Sequence, residues 1–446
     1  MPAEPRVSVV EGDGVVSYYS NYATARAAII ANSLQRPLIM IWADLTEPII
    51  LLSGTDIWIG PGVTINNTSG ETITDKVSGV SQEVHCKIYG YGKIKNTGGY
   101  SCLFLDDINS DLTVECDSFD TSTGNSTTIY ITRASKFHLF CNSILSKGSA
   151  IYIGYPSGII VEDIRLNIGK VETGDTSVSP IVGTSIVTYA NGFMNINEII
   201  CKNYGHCLLH RKGSITARIN KMTGVTVNSG LISTILVGQG DGNQKLVLYF
   251  DEIQHIRGTG SSISADTVGI AQGTCVLIGR RIFSNDGYAV AITQPLPPST
   301  IMTFANLKCN EIESFNSAGT FISNVTNEVL LDTDTIKGYG VTGAVYGQGK
   351  ANFLLKNSML RNRDTTSNSR CLTVEMTNSN IPSVTLNNIR AVTNNISSGS
   401  IIFQASFNGL TVKNYGFFAN KALDEGITLS IGNAGNFQFI ENSDLT

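Results

Sequence analysis

The chain has 446 residues, 42% hydrophobic and only 15% charged, with a formal net charge of −5 and a pI near 5.6. That balance lacks the concentrated positive charge that phosphate recognition needs, so nucleic acid is not expected as a partner. The most apolar region, Pro37–Leu52, is broken by Asp44, Glu47 and Pro48 and cannot insert across a bilayer.

Residues 1–20 read as a lead-in or attachment segment, with Val7–Val10 suited to a strand and Gly12-Asp13-Gly14 to a turn. Met1-Pro-Ala-Glu-Pro-Arg6 has neither the basic start nor the apolar run of an export signal. Residues 21–75 read as a cap helix followed by the first coils of a solenoid. Ser20 or Asn21 can cap the helix, and Ala23, Ala27, Ile30, Ala31 and Leu34 define one helical face. Laid across the end of a stack of strands, such a helix would cover exposed core and edge. Short strands are expected at Pro37–Trp42, Ile49–Leu51, Asp56–Ile59 and Val63–Ile65.

Residues 76–446 read as repeating coils, regular from Glu83 onward. Asp111-Leu-Thr-Val-Glu-Cys-Asp-Ser-Phe119 returns 25 residues later as Lys136-Phe-His-Leu-Phe-Cys-Asn-Ser-Ile144. Each copy alternates with the period of a half-buried strand and then meets Asp or Asn, residues that accommodate a bend and tolerate left-handed backbone. Sliding this template along the chain places its closing apolar residue at Ile94, Phe119, Ile144, Val171, Ile199, Met222, Ile253, Ile282, Ile312, Ile336, Leu360, Ala391 and Phe417. The bend position, two before the closing residue, holds Gly92, Asp117, Asn142, Gly169, Asn197, Asn220, Asp251, Asn310 and Asp334, interrupted by Arg280. A second strand follows most copies: Ser101–Leu105, Thr128–Thr132, Ala150–Gly154, Ile186–Ala190, His206–His210, Ser233–Val237, Tyr288–Thr293, Gly319–Ser323, Cys371–Met376, Ser400–Ala405 and Gly426–Ile431.

A period in the twenties built of short strands predicts an all-β chain, a right-handed parallel β-helix with stacked coils and a short N-terminal cap helix. The position before the closing residue holds Lys170, Glu198, Lys221, Glu252, Arg281 and Glu311, alternating in sign as vertical neighbours in a parallel sheet should. Lys308, Asp332 and Lys356 repeat the idea in another outward column. Forty-four glycines suit the many turns. Nine scattered cysteines, with Cys116, Cys141 and Cys309 in one inward column and Cys275 at another inward place, read as reduced core residues made in a reducing cytosol. The repeat is irregular near Thr259–Val268, Gln294-Pro-Leu-Pro-Pro298 and Arg361–Arg370, where loops would protrude and binding tends to reside.

Glycan hydrolysis would need two carboxylates roughly 5–9.5 Å apart. Asp251 with Glu252, Glu311 with Glu313 and Asp332 with Asp334 are candidates, but most of these acids belong to the charge ladder or to bends. Asp106 and Asp107, ending a second strand, have no such structural assignment and stand as the catalytic candidates. A lyase would need a base beside an acid-bound cation, and no dense acidic cluster is present. Cys201, His206, Cys207 and His210 invite a zinc reading, yet strand alternation turns Cys207 away from the two histidines, so no metal or cofactor is assigned. Aromatic platforms for sugar are offered by Tyr89, Tyr91, Tyr100, Tyr130, Tyr152, Tyr155 and Tyr249, of which Tyr130, Tyr152 and Tyr249 are the glycan-binding candidates.

Gly12-Asp13-Gly14, the Ala-rich helix Tyr22–Ser33, the strand Leu38–Trp42 and Leu52-Ser-Gly-Thr-Asp-Ile-Trp-Ile-Gly-Pro-Gly-Val-Thr-Ile65 together resemble the start of a pectate-lyase-like β-helix of the bacteriophage tailspike type. The motif-level likeness covers roughly the first 65 residues, and Val15-Val16-Ser17-Tyr18-Tyr19 replaces the acidic pair and Thr usual in that family. The resemblance implies a homotrimeric virion protein, made in the bacterial host cytoplasm, joined to tail or baseplate proteins and binding bacterial surface polysaccharide. Two alternatives follow: a polysaccharide hydrolase or lyase, and a purely architectural virion component.

Overall fold

The structure is a computed structural model that describes residues 5–154, 159–174, 183–202, 205–226, 233–238, 243–257, 266–293, 303–340, 343–364, 370–375, 383–393, 401–405, 410–417, 428–431 and 438–440. Tyr155 and Gln294–Pro298 lie outside the described residues, as do parts of the irregular stretches 259–268 and 361–370 and of the last second strand. The chain divides into two compact units, Met1–Ile219 and Asn220–Thr446. Each unit is a parallel β-solenoid.

In the first unit Val7–Val10 pairs antiparallel with both Val16–Tyr19 and Leu38–Ile41, and Leu38–Ile41 then pairs parallel with Asp56–Ile59 to start the coils. The single helix among the described residues, Tyr22–Ala31, sits beside this start, with Asn21 as its N-cap accepting from the Thr24 N–H. Its buried face is Tyr22, Ala25 and Ile29 rather than the expected alanine stripe, and Ile30 is half exposed. The reason is Tyr22, which donates its hydroxyl to the Ile50 carbonyl at 2.7 Å and outweighs any set of alanine methyls in apolar area. The Glu47 carboxylate accepts from the Tyr22 and Ala23 N–H groups, supplying the negative charge that a helix start favours. Ser33 takes a left-handed conformation, so the helix stops short of Leu34.

The repeat holds rung for rung. Ile65, Ile94, Phe119, Ile144, Val171 and Ile199 are direct cross-strand partners in the first unit, each at most 1% exposed. In the second unit Ile253, Ile282, Ile312, Ile336, Leu360 and Ala391 form the same column, continuing in register to Phe417. Removing such a side chain from water is worth about 2 kcal/mol per rung, so the column carries a large share of the stability.

The bend works differently from the expectation. Asp117, Asn142, Asn197, Asp251 and Asp334 keep negative φ, whereas Asn357 and Asn388, one place earlier in their coils, are left-handed at φ 53 and 54. Amide and carboxylate ladders join these residues instead: Asn142 donates to Asp117 at 3.0 Å, and Asn388 to Asn357 at 3.0 Å. The Arg280 that interrupts the series donates two bonds to Asp251, replacing the amide ladder by an ion pair. Glycine at 169 is dictated by close approach, since a Cβ there would lie 2.4 Å from the Asn142 carbonyl oxygen.

A buried polar seam closes the turn after three successive long strands of the first unit. Thr121, Ser146 and Thr173 are cross-strand partners, all fully buried or nearly so. Thr121 Oγ1 meets Thr128 Oγ1 at 2.5 Å, Ser146 donates to the Ser149 carbonyl and Thr173 Oγ1 meets Ser185 Oγ at 2.7 Å. Each buried hydroxyl is thereby satisfied across the turn rather than left to cost a desolvation penalty. The template missed the strand Val268–Ile270, which pairs with both Ile235–Val237 and Val290–Thr293, and a small antiparallel hairpin, Lys76–Val77 with Val80–Ser81, as well as the start of Val345–Lys356, which pairs with both Thr320–Gly338 and Leu372–Glu375. Gly269 breaks the apolar signature of the first, and the second pairs only with itself.

The charge column is real within each unit. Lys170 faces Glu198, and Glu252, Arg281 and Glu311 are successive partners, with Arg281 3.5 Å from Glu252 and 3.1 Å from Glu311. Lys308, Asp332 and Lys356 likewise share a register column. All nine cysteines are free thiols, with Cys116 directly opposite Cys141. Burial pushes Cys86, Cys141 and Cys309 up to about 12 and Cys116 well above the ordinary thiol value. Cys86 alone of the nine is only partly buried, so a disulfide-type thiol reagent at pH 8 is expected to modify it first and the remainder only on unfolding; prompt reaction of several thiols in the native protein would contradict this packing.

Candidate functional site

The first unit gathers chemistry at the end of the second-strand sheet. Ile73 pairs with Leu103 and Thr74 with Phe104, which puts Asp75 in step with Leu105, itself opposite Ile131 and then Ile153. A carboxyl thus occupies a core column otherwise filled by Leu and Ile, and it is 0% exposed. Its Oδ2 accepts the Asp106 N–H at 2.8 Å, while Oδ1 is buried with no hydrogen-bond partner among the described residues. Burial raises the Asp75 pKa to about 6; the Asp106 N–H and the Ser81 hydroxyl pull it down, and the Asp106 charge pushes it further up.

Asp106 is not a free acid. A register shift between Leu105 and Asp106 skips Thr132 and sets Arg133 opposite Asp106. The Arg133 Nε donates to Asp106 Oδ1 at 2.8 Å, and this bond holds the guanidinium pKa above its usual value. Asp107 accepts the Asn109 N–H at 2.9 Å on its side chain and the Ser110 N–H on its carbonyl, forming the turn that leads into the next long strand. Both acids therefore have structural partners that sequence reading did not assign.

Beside this cluster runs an aromatic ladder. Phe104, Tyr130 and Tyr152 are partners on successive rungs, with ring centroids 5.7 and 6.1 Å apart and interplanar angles of 88° and 77°. They meet edge to face, the geometry that the ring quadrupole favours. Lys76 Nζ lies 3.7 Å from the Phe104 ring centroid, and the Ser149 hydroxyl donates to Tyr152 Oη at 3.2 Å. The structure thus brings Tyr130 and Tyr152 together, with Asp106 two residues beyond Phe104 on the same strand and engaged by Arg133. Tyr249 belongs to the second unit, on the long strand Lys245–Arg257 opposite Ile278, in a separate column.

The other acids weighed from sequence are engaged in rung-to-rung pairs. Asp251 is held by Arg280, Glu252 by Lys221 and Arg281, Glu311 by Arg281 and Lys337. Glu313, nearly buried, is gripped by Arg281 at 2.6 Å and Arg363 at 2.7 Å, and each guanidinium also stacks on a phenylalanine, Phe283 and Phe315. Asp332 accepts from Asn357, and Asp334 borders an open depression of about 250 Å³ with Asn357, Ser358, Met359 and Asn388. His210 is buried between the Thr188 hydroxyl and the Gly213 carbonyl.

Asp75, Lys76, Phe104 and Arg133 went unnoticed in the sequence. The available signal was the polar residue at the end of Ile73-Thr74-Asp75, visible once the repeat is extended upstream of Glu83. A second aromatic group was also missed: Trp42 and Trp58, centroids 4.7 Å apart, with Trp42 half exposed and its Nε1 donating to the Ser8 hydroxyl. Comparison of the chain with protein-family models, with curated proteins and with solved structures finds no match in any of the three.

Proposed function

We propose that this chain is a host-adsorption protein of the bacteriophage tailspike type, binding bacterial surface polysaccharide along the Phe104–Tyr130–Tyr152 ladder. The observation that carries the reading is a row of three rings on successive rungs, Phe104 buried and Tyr130 and Tyr152 partly exposed, ending at Lys76 and the Asp106–Arg133 pair. Apolar ring surface suits the hydrophobic faces of sugars, and the charged groups at its end suit hydroxyls or acidic substituents. Rungs spaced at about 4.8 Å advance at a rate comparable with successive units of an extended glycan. The resemblance of the first 65 residues to tailspike β-helices supports the same reading. On it, the protein works as a homotrimer on the virion, joined to tail or baseplate proteins.

The test is incubation of the purified full chain with capsular and O-antigen polysaccharides from candidate hosts. Saturable binding is expected, weakened about tenfold by Tyr130→Ala and by Tyr152→Ala. Binding untouched by the double variant would remove the ladder from the account, and failure to bind any surface glycan would leave a scaffold. One observation favours a second reading, glycan hydrolysis: a carboxyl with pKa about 6 beside a second carboxylate has the acid's electronic character. Against it, Asp75 is sealed from solvent and Asp106 is bound by Arg133. Shortened oligosaccharides that disappear with Asp75→Asn would decide for the enzyme.

A further inference from the structure

The hairpin formed by Lys76–Val77 and Val80–Ser81 hangs directly on Asp75. Its turn residues Ser78 and Gly79 are both left-handed, at φ 52 and 84, as a tight two-residue hairpin turn requires. The Gln82 N–H donates to the Asp75 carbonyl at 3.2 Å, so the hairpin closes on the residue from which it starts. It pairs with no strand of the main sheet, and a lone two-stranded hairpin is marginal in water. What ties it down is the Lys76 ammonium over the Phe104 ring, the Lys76 N–H on the Thr74 hydroxyl, and its root at Asp75.

We propose that this hairpin is a proton-controlled cover over Phe104 and the adjoining ladder, held shut while the Asp75 carboxyl is neutral and loosened when it ionises. The neutral carboxyl fits its place between Leu51 on one rung and Leu105 on the next, both fully buried or nearly so. The carboxylate fits less well: Oδ1 is buried with no hydrogen-bond partner among the described residues, and the Ser81 hydroxyl, which favours the charged form, offsets only part of the cost of burial. The charged groups around it do not cancel that cost. Asp106 repels it from the adjoining rung, Arg133 is bonded to Asp106 and attracts Asp75 only as a minor contribution, Lys76 sits over Phe104, and Leu51 contributes no charge. Leu51 and Leu105 flank the carboxyl on the neighbouring rungs, and the hairpin pairs with no strand of the main sheet, so the hairpin is the element that gives way to admit water. The elevated pKa, about 6, places the change in the mildly acidic range. Segments held by few apolar contacts are the ones that open locally.

The measurement needs no glycan, so it stands or falls separately from the binding site proposed above. Amide exchange of the full chain is followed at pH 5 and pH 7.5, after correction for chemical exchange. The peptide covering residues 76–82 is expected to lose about tenfold in protection between the two, while Asp111–Thr121 is unchanged. Asp75→Asn, nearly isosteric and permanently neutral, is expected to keep the protection at both pH values. Lys76→Gln, which removes the cation over Phe104, is expected to speed exchange of the hairpin already at pH 5. Equal protection of wild-type residues 76–82 at both pH values would overturn the proposal. So would the same pH-dependent loss in Asp75→Asn.

Discussion

Phe119→Ala is expected to destabilise the protein by about 3–5 kcal/mol, the range for truncating a fully enclosed phenylalanine. Phe119 is 0% exposed and stands between Ile94 and Ile144 on the rungs either side, so its ring is enclosed within the core of the first unit. Layers packed like crystals relax little, and a missing ring leaves a cavity rather than a collapse. Because each coil touches only its neighbours, the damage should be read first as lost amide protection in Lys93–Asn96 and Lys136–Ser146. Leu145→Ala is the control: one position further along the adjoining strand, this side chain faces outward and is 39% exposed, and its loss should cost no more than about 1 kcal/mol. Equal shifts in urea midpoint for the two variants would mean that the column is not the core.

The second large effect concerns Asp75 and depends on pH. Its folded pKa, about 6, lies above the value of 3.8 for an unperturbed carboxyl, so the folded chain holds this proton more tightly than the unfolded one. The contribution of Asp75 is therefore fully present below pH 4, is lost as pH rises through 4 to 6, and stays lost above that. A shift of about two units corresponds to roughly 3 kcal/mol. Asp75→Asn should match wild type near pH 4 and exceed it by about 3 kcal/mol at pH 7. Urea unfolding of both proteins at four pH values between 4 and 7 makes the comparison; parallel curves would show that the carboxyl is solvated in solution. A chain that keeps an acid at such a cost, beside an aromatic ladder, is behaving as functional sites do.

Much of the coil architecture was legible because one constraint acts on every rung. An apolar residue that must face the core recurs at each turn of the chain, and the columns from Ile94 to Val171 and from Ile253 to Ala391 could be aligned by that alone. The sign alternation of Glu252, Arg281 and Glu311 was legible for a similar reason, since like charges one rung apart repel. The helix face was misjudged because alanine carries little apolar area, and one tyrosine outweighs several. The site was harder. Asp106 and Asp107 look alike in sequence, yet a one-residue register shift gives the first to Arg133 and leaves the second to a turn. No local pattern encodes that shift. Asp75 escaped because its meaning lies in the column, in the Leu105 and Ile131 that share it, rather than in its chain neighbours.

Alternation of sign along the solenoid imposes a parity rule on how such a chain can change length. Excising the single turn that carries Arg281 would bring Glu252 against Glu311, two acids where an acid and a base now meet. Excising the two turns that carry Arg281 and Glu311 would instead set Glu252 against the neutral Thr335, with no pair of like charges. Gains and losses of whole turns in pairs are thus favoured over single ones, and the molecule behaves as a ruler graduated in twos.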